Sequence, residues 1–243
     1  MRGLVVATQF LTRLPTPRLD DWRADDLSRA APWFPAVGLI IGALVAAAVW
    51  AGSLINPTIA ALAGVLAMTV ATGALHLDGL ADTADGLAAS HRDPKRFLEV
   101  ARDPATGAFG VVAIVIALLA KFALLQSLGP VDLWTLGAVV CVFGWSRWIA
   151  AAIGAAVPPL GEGRGAVFIA GVSRPMLIAM AVILAVASLV TSPVLLTAIA
   201  IAPAAIAYWR ARLGGINGDG FGATIETSEV LLLAALVIGA QPW

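Results

Sequence analysis

The sequence predicts an all-α fold, a polytopic membrane helix bundle, and three observations carry that prediction. The chain of 243 residues is 60% hydrophobic and 12% charged, where soluble domains run at about 45–50% apolar and about 25% charged. Its apolar residues fall into runs close to the ~20 residues that cross a bilayer as a helix. Its Lys and Arg residues, Lys121 and Arg147 apart, are confined to alternate segments between those runs. A chain with mean hydropathy +0.93 cannot hide its apolar surface in one water-soluble core, so residues 1–243 read as a single transmembrane domain in contact with lipid. A net charge of zero gives no reason to expect a nucleic-acid partner.

The first helix expected covers residues 4–14, where Leu4, Val5, Ala7, Leu11 and Leu14 lie near one face. It is too short to span and reads either as an interfacial amphipathic helix or as a helix packed on the bundle. Pro15 and Pro17 end it. It is no signal peptide, because the apolar patch is short and Asp20, Asp21, Asp25 and Asp26 follow it. Spans are expected at 33–54, 58–76, 109–128, 133–157, 175–190 and 194–209, with turns at Asn56-Pro57 and at 191–193. A last run, 230–240, is short for a span and is counted as the seventh. The lone Cys141, between Val140 and Val142, has no intrachain disulfide partner and reads as a small buried hydrophobe.

The polar segments 1–32, 77–107, 158–174 and 210–228 hold nearly all the cationic residues, and the intervening loops hold none. The positive-inside bias therefore places the N-terminus and these four segments in the cytoplasm. Only Lys121 and Arg147 sit well inside spans. An intramembrane charge is a functional candidate, so each either reaches a phosphate or pairs with an acid between helices.

The chemistry concentrates in residues 76–86, HLDGLADTADG. If helical, Asp82 and Asp85 lie at about 40° and −20° from Asp78 around the axis, so the three carboxylates share one stripe. Like charges so placed repel, and a hard divalent cation offsets the repulsion. Carboxylate-only donors suit Mg²⁺. The bland alternative is a solvated acidic loop. His76, two residues before Asp78, is either a proton carrier or an interfacial hydrogen-bonder.

Downstream, Asp103 is either a general base or the N-cap of a helix that starts at Pro104. Gly107 and Gly110 permit close approach of a phosphate to free N–H groups at the start of the third span, with Arg102 just upstream. The stretch 214–229, GGINGDGFGATIETSE, reads as a glycine-rich loop. Its Asp219 and Glu226 are candidates for metal or substrate contacts.

Residues 82–89, DTADGLAA, fit the D-x-x-D-G-x-x-A pattern of CDP-alcohol phosphotransferases. Ser90 and Val111 depart from that family's continuation. A closer resemblance rests on four blocks in order: FLTRLPTP at 10–17, HLDGLADTADGL at 76–87, RDPATGAFG at 102–110 and GDGFGATIETSE at 218–229. With the span pattern, these resemble the cobalamin synthase, or adenosylcobinamide-GDP ribazoletransferase, family. The resemblance implies that α-ribazole, or its 5′-phosphate, is joined to adenosylcobinamide-GDP with release of GMP, in a Mg²⁺-dependent reaction at the bacterial inner membrane. It implies Asp78, Asp82 and Asp85 at the metal. Asp103 and His76 would act in catalysis, and Arg102, Gly107, Gly110, Lys121, Asp219 and Glu226 on substrate. A phospholipid-forming phosphotransferase and a small transporter are the alternatives. The oligomeric state is left open.

Overall fold

The computed structural model describes residues 2–19, 21, 23, 25–129 and 131–240; Asp20 of the acidic N-terminal group lies outside them. Among the described residues there are helices and no strands. Six helices among the described residues are long and apolar enough to cross a membrane, and a bent pair makes up to seven. Their outward faces are apolar. Leu54, Val70, Ile116, Leu119 and Leu189 are each more than half exposed, and only a lipid environment makes such a surface stable.

Helix α1 (Arg2–Leu11) buries Val6, Ala7 and Leu11 and is packed on the bundle. Arg2 ties it to the short α2 (Asp26–Ala30) through Asp26. A 3₁₀ turn leads into α3 (Phe34–Ser53), the first span. Asn56 then caps α4 (Pro57–Thr72), its side chain accepting the N–H of Ile59 at 2.9 Å, with Pro57 at the first helical position.

The second span ends four residues earlier than its hydropathy suggests. Gly73 takes a left-handed conformation (φ 60°) and closes α4, and Ala74 follows it there. The chain turns by 86° into α5 (Leu75–Ser90). The acidic stretch is therefore a helix in its own right, running across the end of the bundle. The N-terminal segment straps the elbow, since the N–H of Arg13 donates to Ala71 O at 2.7 Å.

The rest of the expected 77–107 polar segment holds α6 (Pro94–Val100), capped by Asp93. Then come α7 (Ala108–Gln126) and α8 (Leu133–Gly154). The 158–174 segment contains α9 (Arg164–Ala170), and α10 (Arg174–Thr191) is the next span. A 3₁₀ turn from Pro193 to Thr197 continues into α11 (Ala198–Leu213).

The largest difference from the sequence reading is at the C-terminal end. Residues 218–229 form no loop. They are the first half of α12 (Gly218–Gly239), a 22-residue helix of full spanning length. Its glycines and hydroxyls lower the hydropathy of a buried segment, so the apolar run looked truncated. Helices α8 and α12 are buried along most of their length, whereas α7, α10 and α11 are mostly lipid-facing.

Candidate active site

The elbow places the start of α5 against the start of α12. A Cβ on Gly79 would fall 2.9 Å from the carbonyl oxygen of Asp219, and one on Gly222 would fall 3.2 Å from that of His76. Paired glycines therefore let the two backbones touch. Beside this crossing lies a cavity of about 380 Å³, lined by His76, Asp78, Arg102, Asp219 and several aromatic rings. The linker residues Leu160–Gly163 and the start of α12, Asn217 and Gly218, also line it. The linkers that lead into these residues are held together by Leu160 N–H to Ile216 O at 2.8 Å and Ile216 N–H to Pro158 O at 3.0 Å.

The helical stripe forms as its spacing predicts. Asp78 is exposed, and Asp82 and Asp85 are half-buried. Burial, then the neighbouring carboxylates of Asp78, Asp219 and Asp85, push the Asp82 carboxyl up to about 6. Asp219 thus joins the acidic group from α12. Its own Oδ2 accepts Asn217 Nδ2 at 2.8 Å.

Asp85 does something the spacing alone does not show. Its two oxygens accept the N–H groups of Gly107 at 2.7 Å and Gly110 at 2.9 Å. It therefore caps α7 from a different helix, satisfying donors that would otherwise point outward. The glycines leave room for it, because a Cβ at either would come within 2.5 Å of an Asp85 oxygen. These two N–H groups thus meet a carboxylate of the protein.

Asp103 starts no helix at Pro104. It is exposed, and its Oδ1 accepts Ala105 N–H in a turn at 2.9 Å. The Asp-Pro helix start falls instead at Asp93-Pro94.

Lys121 and Glu226 are placed away from the cavity, inside the bundle. Lys121 Nζ bonds Glu226 at 2.7 Å and also Glu229, while Arg147 bonds Glu229. All four are at most 5% exposed. Of the two readings open for the intramembrane cations, the structure shows pairing with acids. Arg147, the other intramembrane cation, and Glu229, which the sequence reading did not single out, hold this cluster together. Helical spacing between Glu226 and Glu229, with two lone cations in spans, was the available signal.

Among the described residues, no group of three or more His, Cys, Asp or Glu side chains is gathered closely enough to hold a metal ion. The donor chemistry nonetheless fits a hard cation. Asp78, Asp82 and Asp219 supply only oxygen, and their mutual repulsion adds to burial in raising Asp82.

Fold and site together define a polytopic membrane protein whose polar chemistry is collected at one end of its bundle. The chain belongs to the cobalamin-5-phosphate synthase family, whose profile matches residues 3–237. It is 46% identical over 241 residues to the adenosylcobinamide-GDP ribazoletransferase of Thiobacillus denitrificans, covering 97% of this chain and 96% of that one. It is 45% identical over 253 residues to the enzyme of the same name from Novosphingobium aromaticivorans (98% and 97%). The Laribacter hongkongensis enzyme is 42% identical over 247 residues (99% and 98%). No solved structure matches the chain.

Proposed function

We propose that this chain joins α-ribazole, or its 5′-phosphate, to adenosylcobinamide-GDP, releasing GMP, at the cytoplasmic face of the bacterial inner membrane. The observation that carries the site assignment is the pair of carboxylates, Asp78 and Asp219, that line the cavity beside the α5–α12 crossing, with Asp82 one turn further along α5 and within electrostatic reach of both. The family match over nearly the whole chain supports the substrates.

In the reaction, the 5′-hydroxyl oxygen of α-ribazole bonds to the cobinamide-side phosphorus. The bond from that phosphorus to the bridging oxygen breaks, and GMP leaves with that oxygen. The hydroxyl proton passes to a base, for which Asp103, next in the chain to the cavity-lining Arg102, is the candidate.

Asp78, Asp82 and Asp219 would hold Mg²⁺, and Asp85 contributes while fixing the start of α7. Bound there, Mg²⁺ would supply charge neutralisation to the diphosphate as it is displaced. Arg102 adds a fixed positive charge at the cavity. The aromatic residues Phe10, Phe34, Phe168 and Phe221 along its wall exclude water from the diphosphate and strengthen every charge contact there. Gly107 and Gly110 contribute by admitting the Asp85 carboxylate, and Lys121 and Glu226 by bracing α7 against α12.

The test is incubation of the purified protein in liposomes with adenosylcobinamide-GDP, α-ribazole and Mg²⁺. GMP should appear with the cobalamin product and stop on chelation. Absence of GMP, with CMP released instead from a CDP-linked lipid, would favour the phospholipid reading.

A further inference from the structure

Helix α5 has a second face. Leu80, Thr83, Ala84 and Leu87 lie at about 140° to 240° from Asp78 around its axis, opposite the acidic stripe. That face is one wall of a groove of about 450 Å³, which shares no lining residue with the acidic cavity. The other walls are α11, from Ile201 to Trp209, and α12, from Ala223 to Leu231. Helix α11 leans on α8 and barely touches α12, which leaves the gap between them. Ala204 and Ala205 on α11 keep it wide, and Ala204, Tyr208 and Leu231 are exposed along its rim. At its base, the Thr224 hydroxyl accepts Trp209 Nε1–H at 2.9 Å and donates to Gly220 O at 2.8 Å. Its polar capacity is spent, and the base presents methyl groups.

Two features say what fills the groove. The first is length. At helical rise, Ala223 to Leu231 covers about 12 Å, close to the ~15 Å depth of one leaflet's hydrocarbon. The second is charge at one end only. Arg212 stands one turn beyond Tyr208 on α11, and its Nη2 donates to Leu87 O, on the α5 wall, at 3.4 Å. Among the described residues no carboxylate pairs with Arg212. Tyr208, the one tyrosine of the chain, is 47% exposed on the same stretch of α11. A cation and a phenol at the head of an apolar slot one leaflet deep complement a phosphate with an acyl chain below it.

We propose that a phospholipid of the leaflet bordering α5 binds here, with one acyl chain in the groove and its phosphate on Arg212 and Tyr208 Oη. The chain fills the space behind the helix that carries Asp78, Asp82 and Asp85, and so supports that helix from the side opposite its carboxylates. An acyl chain matches a slot of this length, whereas a spanning helix of a second copy, crossing about 30 Å, does not. The site stands whether or not the transfer chemistry is as read above, because it rests on none of the cavity residues.

Photo-crosslinking of the full chain in liposomes tests it. Phosphatidylglycerol with a mid-chain diazirine should label the groove peptides of α5, α11 and α12 well above the lipid-facing helices α7 and α10. Ala205→Trp fills the slot and should bring groove labelling down to the α7 level, with α7 and α10 unchanged. Arg212→Gln leaves the slot open and should cut groove labelling by about tenfold, the usual worth of a hydrogen bond to a charged group; it keeps the test valid if Ala205→Trp fails to fold. A diazirine-bearing diacylglycerol, which lacks the phosphate, should label the groove no more than α7. Groove labelling equal to that of α7 in the parent protein means passing lipid only and overturns the proposal. So does an unlabelled groove; disulfide-linked dimers of Thr227→Cys would then identify a second copy as the occupant. Labelling unchanged in both variants also overturns it.

Discussion

The Asp85 carboxylate accepts the backbone N–H groups of Gly107 and Gly110, at 2.7 and 2.9 Å, across the junction of α5 and α7. One member of the acidic stripe is therefore committed to structure. Asp85→Asn is isosteric but turns an NH₂ toward one of those donors. It should destabilise the metal-free protein by about 1–3 kcal/mol, the cost of an unsatisfied buried donor. Thermal unfolding in detergent, with chelator present, measures it. A residue that served only as a metal ligand would show no such loss.

Gly110→Ala tests the same contact from the other side. Its Cβ would fall 2.5 Å from Asp85 Oδ2, and overpacking of this kind costs about 1–3 kcal/mol. GMP release should fall with it as the stripe shifts. Gly218→Ala meets nothing within 4 Å, and its melting temperature should match that of the parent.

Among the described residues Asp82, unlike Asp85, accepts no backbone N–H that its charge would satisfy. Its carboxyl is raised to about 6 by burial and by Asp78, Asp219 and Asp85. A carboxyl raised in the folded state binds protons more tightly there than when unfolded. Without metal, it therefore lowers stability as pH rises from about 4 through about 6. Asp82→Asn should abolish transfer, remove that pH dependence and leave the chelated protein at least as stable at pH 7. Transfer by the parent enzyme should weaken as pH falls through about 6, and added Mg²⁺ should restore it by competing with the proton.

The pair Lys121–Glu226 and the bonds of Lys121 and Arg147 to Glu229 form a closed cluster. Removing one partner strands a buried charge. Lys121→Met should cost about 3–5 kcal/mol, and Lys121→Met with Glu226→Gln should recover part of that. A double-mutant cycle on unfolding in detergent reads the coupling; additive losses would show that the two do not act as a unit.

Orientation is open to thiol labelling, because Cys141 is buried and should be silent. A membrane-impermeant maleimide should label Lys95→Cys in inverted vesicles alone, and Ile55→Cys, in the loop between α3 and α4, in right-side-out vesicles alone. The reverse pattern would put the acidic cavity on the outer face.

Composition and the spacing of apolar runs were enough to predict a helical membrane bundle. Apolar run length maps directly onto the thickness that a helix must cross. The i, i+4, i+7 spacing of Asp78, Asp82 and Asp85 was likewise sufficient for a shared stripe, because helical periodicity is local. The four ordered blocks were enough for the family. The full length of α12 was not legible. Glycines and acids in a helix that packs against protein read as a loop to any scale that assumes lipid or water outside.

Only the tertiary structure decided which polar groups meet. The left-handed Gly73 and Ala74 turn α5 across the bundle and bring Asp219 to the stripe, Asp85 to the head of α7, and Arg147 to His76. Those partners lie 22 to 141 residues apart along the chain. Their pairing is set by the packing of whole helices, a property that no local pattern encodes.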